Sequence, residues 1–132
     1  MKVALDTNVL VSALGTRGLC ADVLRVVLLE HDLIISEPVL SELRKALAKK
    51  FRLPADLIRE TEELLRARST VVTERPAAIP ASIDADDAVI LGSAVAGKAD
   101  VFVTGDAALL MLGAKAPIPV VSPRQFWVLL RR

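Results

Sequence analysis

The chain of 132 residues is expected to be an α/β protein: a three-layer α/β/α sandwich with a central parallel sheet of about five strands. Three observations carry that expectation. Short β-branched runs alternate with longer stretches of helical period, the order in which parallel sheets are built through helical crossovers. Hydrophobic residues make up 53% of the chain and the mean hydropathy is +0.48, values that suit strands covered on both faces. No internal repeat, low-complexity stretch or long linker divides the sequence, so residues 1–132 are read as a single domain with its own core.

Val3 to Leu5 forms the first apolar run and the first strand. A helix runs from Ala21 to Glu30, with Leu24, Val27 and Leu28 at i, i+3, i+4 spacing. Leu33 to Ile35 is the second strand. Ser36 is placed to cap the next helix, which has Pro38 near its start and Leu40, Leu43 and Leu47 on one face. Pro54 opens a further helix to about Arg68, and Val71 to Thr73 is a third strand. Pro76 and Pro80 mark Glu74 to Ile83 as an irregular connection. Ile90, Leu91, Ala94 and Val95 then define a helix that Gly97 stops. Val101 to Val103 is the fourth strand, Asp106 to Leu112 a short helix and Ile118 to Val121 the fifth strand. Phe126 to Leu130 closes the chain as a helix with one apolar face.

Composition removes several function classes. No apolar run approaches the roughly 18 residues of a membrane span, and the first strand starts at once, so the chain is expected in the cytoplasm. Cys20 is the only cysteine and His31 the only histidine, which excludes a disulfide framework and a thiolate zinc site. Cys20 is read as a buried, inert thiol. Net charge is +1, so bulk electrostatics do not announce a nucleic-acid binder. The positive charge is nevertheless uneven: Arg44, Lys45, Lys49, Lys50 and Arg52 cluster, and Arg131 and Arg132 end the chain. There is no tyrosine and few other aromatic residues, which disfavours a base-stacking platform.

The acids stand where ligands collect in a parallel sheet, beyond the carboxyl ends of the strands. Asp6 directly follows strand one. Asp106 follows strand four in Val-Thr-Gly-Asp. Asp84, Asp86 and Asp87 lie before or in the first turn of the helix leading to strand four, and Glu42 lies in the second turn of the helix after strand two. Each has a bland reading. Asp106 and Asp84 can be helix caps, Asp6 can cap a turn, and Glu42 can be a solvated helix residue. Gathered at one sheet edge, they repel one another unless a cation neutralises them. An all-oxygen acidic cluster suits Mg²⁺ or Mn²⁺ and not zinc.

The ordered set Asp-Thr-Asn after strand one, Ser-Glu-Leu in the following helix, Asp-Ala-Asp-Asp-Ala-Val-Ile-Leu and Val-Thr-Gly-Asp resembles the PIN-domain family. Within it, the chain is similar to the VapC-like toxin components of prokaryotic toxin–antitoxin pairs, over nearly its whole length. The resemblance implies a metal-dependent endoribonuclease whose catalytic and metal-binding acids are Asp6, Glu42, Asp87 and Asp106. Asn8 and Thr104 match polar positions that support the site, as hydrogen-bond partners of those carboxylates. Asp84 is the alternative third acid; the spacing to Ile90 and Leu91 favours Asp87 for chemistry, Asp84 for a cap and Asp86 for neither.

Arg44, Lys45, Lys49 and Lys50 are candidates to hold the RNA backbone without reading sequence. The resemblance also implies an antitoxin partner that covers the cleft, and allows a homodimer. Phe126 and Trp127 offer a contact surface for that dimer, although burial within the monomer is the favoured reading of both rings. Two rivals stand beside this expectation. A haloacid-dehalogenase-type phosphatase needs a second acid two residues after the first, where this chain has Asn8. A PIN-fold RNA-binding or regulatory protein without turnover is the non-enzymatic alternative.

Overall fold

The computed structural model describes residues 1–80 and 82–131; Arg132 of the basic C-terminus lies outside them. Five strands form one sheet: β1 (Lys2–Leu5), β2 (Asp32–Ser36), β3 (Ser69–Val72), β4 (Val101–Val103) and β5 (Val120–Val121). Their order is β3-β2-β1-β4-β5 and every pairing is parallel, so the architecture is the expected α/β/α sandwich. The central strands are the apolar runs of the sequence. Val3, Ala4 and Leu5, Leu33 to Ser36, and Val101 to Val103 are all buried, whereas β3 and β5, at the two edges, are half-buried.

Among the described residues, seven α-helices connect and cover the strands: α1 (Thr7–Gly15), α2 (Leu19–Glu30), α3 (Glu37–Lys50), α4 (Ala55–Ala67), α5 (Ala85–Ala96), α6 (Ala107–Leu110) and α7 (Pro123–Leu130). Helix α1 packs on α2 and α3, α7 on α2, and α5 on β2 and β3. The chain runs outward from β1 through β2 to β3, then crosses back to β4 on the other side of β1. Right-handed crossovers therefore put α5 on the face opposite α1 and α2. The reversal between β1 and β4 is the topological switch point, where the connecting helices part and leave a crevice.

Helix α1 is absent from the sequence reading. Its positions Val9, Leu10 and Val11 are consecutive and all buried, with the helix packed on α2 and α3. The polar stripe of this nine-residue helix is only Asn8 and Ser12, too short for a 3.6-residue period to stand out in the sequence. Other boundaries shift for local reasons. Helix α2 starts at Leu19, ahead of Ala21, and its Cys20 is half-buried instead of buried. Strand β3 starts at Ser69, ahead of Val71.

Strand β5 keeps only two residues of the expected four. Pro119 lends its carbonyl to the Phe102 N–H at 2.9 Å but has no N–H to continue the ladder. The short helix ends at Leu110, short of Leu112. Helix α7 begins at Pro123 because Ser122 and Gln125 form a reciprocal capping box, with bonds of 3.1 and 2.8 Å. Ser36 stands at the start of α3, but its side chain makes no capping bond.

Gly97 does end α5, though for a different reason from the one expected. Its φ is −77°, and the left-handed conformation falls on Lys98, φ +61°. A Cβ at Gly97 would lie 2.5 Å from a Val72 methyl and 2.9 Å from an Ile34 methyl. The glycine therefore lets the end of α5 sit directly on the sheet. No helix among the described residues is long and apolar enough to cross a membrane.

Candidate active site

Asp6 is the first residue beyond β1 and caps α1. Its N–H continues the sheet by donating to Val103 O at 2.9 Å, which fixes the backbone beside the end of β4. One carboxylate oxygen, Oδ1, accepts from the Thr7 N–H at 2.8 Å. The other, Oδ2, accepts from the Thr104 hydroxyl at 2.7 Å. Thr104 is fully buried and also accepts from the Asp106 N–H at 3.0 Å. A single hydroxyl thus ties together the carboxylate after β1 and the backbone after β4, across the switch point.

Asp106 caps α6, with its Oδ1 accepting from the N–H groups of Ala108 and Leu109 at 2.8 and 3.3 Å. The capping role and a place at the sheet edge are therefore compatible. Glu42, on α3, receives the Thr7 hydroxyl on Oε1 at 2.8 Å. Asp87 lies in the first turn of α5, and Ile90, Leu91 and Ala94 on its side of the helix are buried, as the i+3, i+4, i+7 spacing requires. Asp84 is the α5 cap and accepts from the Asp86 N–H at 3.1 Å. Asp86 is exposed.

Asp6, Glu42, Asp87 and Asp106 line one open cleft of about 430 Å³. Its walls are two helix faces: Asn8, Val11 and Ser12 on α1, and Glu42, Ala46 and Lys50 at i, i+4, i+8 on α3. Asn8 does not reach a carboxylate as expected; its Oδ1 accepts from the Gly105 N–H at 3.3 Å and so steadies the loop that leads to Asp106. Of the basic cluster, Lys50 lines the cleft. Lys45 and Lys49 are exposed on α3, and Arg44 is paired with Glu62 of α4 at 2.6 Å.

Thr7 and Ser12 have no assigned role in the sequence alone. Thr7 stands inside the Asp-Thr-Asn motif, so its place beside Asp6 was a signal, but its reach to a residue 35 positions away depends on how α1 packs against α3.

Electrostatics set this cleft apart. None of the four acids forms an ion pair among the described residues. Burial pushes the Asp6 carboxyl up from its ordinary range, against the pull of its bonds from Thr104 and Thr7, and the charges of Glu42 and Asp106 add to the rise. Asp87 is pushed up to about 6, first by burial and then by the charges of Asp106, Asp6, Asp84 and Glu42. The donor set is all oxygen, negatively charged and uncompensated, the chemistry that suits a hard divalent cation. No group of three or more His, Cys, Asp or Glu side chains among the described residues encloses an ion by itself. Mg²⁺ demands less, since it keeps several waters and binds through one or two carboxylates.

Solved structures with this fold include chains from three bacteria. A chain of VapBC-1 from nontypeable Haemophilus influenzae superposes with a TM-score of 0.67 at 19% identity, over 94% of this chain and 99% of that one. For FitAcB from Neisseria gonorrhoeae the values are 0.62, 23%, 92% and 98%. VapBC2 from Rickettsia felis, solved bound to a DNA fragment from its promoter, gives 0.62, 17%, 92% and 98%. No curated protein matches the chain in sequence. The PIN domain sequence pattern matches residues 2–108, which takes in Asp6, Glu42, Asp87 and Asp106, and the chain belongs to the PIN domain family.

Proposed function

We propose that the cleft is the active site of a Mg²⁺- or Mn²⁺-dependent endoribonuclease, and that the chain is the toxin of a toxin–antitoxin pair acting in the cytoplasm. One observation carries the reading: four carboxylates brought from four separate elements to one cleft, with no cationic side chain among the described residues paired to any of them. Uncompensated negative charge is costly to assemble unless a cation repays it.

Asp6 and Asp106 are the direct ligands in this reading, because hydrogen bonds already orient both carboxylates. Glu42 and Asp87 complete the set or orient the attacking water. A divalent cation held there supplies a Lewis acid for the phosphodiester and lowers the pKa of water. Asp87, raised in the metal-free cleft by burial and by the neighbouring carboxylates, would be returned to its ionised form by the cation and so be able to accept a hydrogen bond from the attacking water. Lys50, at the far end of the α3 wall, holds a backbone phosphate, with Lys45 and Lys49 outside the cleft adding to the field. Arg44 contributes less, being engaged by Glu62.

The VapC-like resemblance supports an antitoxin that covers the cleft. A homodimer remains part of the proposal; Phe126 is fully buried and gives it no surface, while Trp127 is half-buried. The phosphatase rival is weakened further, since Asn8 holds a loop where an acid would be needed.

The test is cleavage of total RNA by the purified protein with Mg²⁺, with chelator, and as Asp6→Asn. Cleavage is expected only for wild type with the cation. An asparagine keeps the shape but has one acceptor oxygen, so it keeps the bond from Thr7 or the bond from Thr104 and not both; the Tm of the variant checks that its fold is intact. Equal cleavage by Asp6→Asn removes the site assignment, and no cleavage by wild type removes the activity.

A further inference from the structure

We propose that Thr7 is a positioning residue that presets Glu42 for divalent-cation binding, an inference that rests on reading the cleft as a metal site. Thr7 is the first residue of α1 and is buried. Its N–H is committed to Asp6 Oδ1 at 2.8 Å. Its hydroxyl has one proton to give, and gives it to Glu42 Oε1 at 2.8 Å. One residue therefore holds a carboxylate from the end of β1 and a carboxylate from the middle of α3.

Glu42 needs such a restraint. It lies on the half-exposed wall of the cleft, has no ion-pair partner among the described residues, and as a free glutamate would lose rotamer freedom on binding an ion. The β-branched Thr7 has few χ1 choices at a helix start, so the donor is itself fixed. The bond occupies one Glu42 oxygen and leaves Oε2 for a ligand. A partner of this kind shapes metal affinity through the carboxylate it orients. The competing account is that a buried hydroxyl merely satisfies itself on the nearest acceptor. In that case its loss changes stability and leaves ion binding unmoved.

Mn²⁺ titration by calorimetry separates the two, run on wild type, Thr7→Val, Thr7→Ser, Glu42→Gln and the Thr7→Val/Glu42→Gln double variant, with the Tm of each metal-free protein as the check on folding. Thr7→Val is expected to weaken Mn²⁺ binding by about tenfold, and Thr7→Ser, which keeps the hydroxyl, to restore it to within about twofold. The double variant is expected to bind no more weakly than Glu42→Gln, because Thr7 acts only through Glu42. Wild-type affinity in Thr7→Val, or a loss that adds in full to that of Glu42→Gln, overturns the role of Thr7 while the metal reading stands. No Mn²⁺ uptake by wild type overturns both.

Discussion

Glu37 and Glu42 lie little more than one turn apart on α3, and they meet opposite surroundings. Glu37 receives both terminal nitrogens of Arg66 at 2.6 and 2.7 Å. Arg66 reaches on to Glu62 at 2.9 Å, and Glu62 also takes Arg44 at 2.6 Å. These bonds hold Glu37 and Glu62 below the usual glutamate range, the Arg66 bonds leading for Glu37 and the Arg44 bond for Glu62. Glu42 instead faces Asp6, Asp87 and Asp106 across the cleft, and there Asp6 and Asp87 are pushed up. The first group is a clamp between α3 and α4, complete without any ligand. The second stores repulsion that the protein itself does not relieve. Acid count alone does not mark a functional site; the absence of matched cations does.

If the cleft stores that repulsion, a divalent cation must relieve it and the clamp must be indifferent. Mg²⁺ at about 100 times its Kd is expected to stabilise the protein by about 2.7 kcal/mol, or about 10 °C in Tm for a chain of this size. Chelator should reverse the gain and Asp6→Asn should abolish it. A monovalent salt that reproduces the full shift would show general screening in place of a site.

The pH response of the metal-free protein is the next largest effect. Asp87 at about 6 binds its proton in the folded state more tightly than in the unfolded chain, where its value is 3.8. Folding is therefore penalised above pH 6, and the penalty is relieved as pH falls through that value toward 4. The raised Asp6 acts in the same direction. Glu37 and Glu62 have depressed values, so their contribution is complete above 4.5 and is lost only as pH falls below it. The Tm in chelator is expected to rise from pH 7 to about 4.5 and then fall. In Asp87→Asn the rise should shrink; an undiminished rise there would assign it to another group.

Two smaller changes separate the clamp from the cleft. Arg66→Ala removes the bidentate bond to Glu37 and one bond to Glu62, and should cost about 1 kcal/mol, since Glu37 is exposed and Arg66 and Glu62 are only half-buried. Chemical denaturation reads the loss, and Mn²⁺ affinity should be unchanged; weakened ion binding would mean that the clamp also sets the cleft. Asp84→Ala deletes the α5 cap at a cost of about 0.5–2 kcal/mol, again with Mn²⁺ uptake intact. Lost uptake in Asp84→Ala, with Asp87→Ala unaffected, would exchange the roles given to those two acids.

The sequence by itself determined the sheet and the address of the acids. β1, β2 and β4 are apolar runs because parallel strands are buried on both faces, and such runs are legible without a structure. Asp6 and Asp106 follow those runs directly, so their place at the strand ends is a consequence of chain order. Spacing along one helix was enough to separate Asp84, Asp86 and Asp87, since a helix face is a local property.

Tertiary structure decided what chain order cannot carry. Helix α1 is hidden because its polar stripe, Asn8 and Ser12, is two residues long and sits beside the consecutive buried Val9, Leu10 and Val11. The edge strands β3 and β5 moved or shrank because half-exposed pairing at an edge imposes a weaker pattern than a buried core. The division of the basic cluster, with Arg44 given to Glu62 and Lys50 left on the cleft, follows from the way α4 packs on α3. Thr7 found Glu42 only when α1 docked on α3. A hydrogen bond between side chains far apart in sequence is fixed by packing, and one chain read without its fold has no term for it.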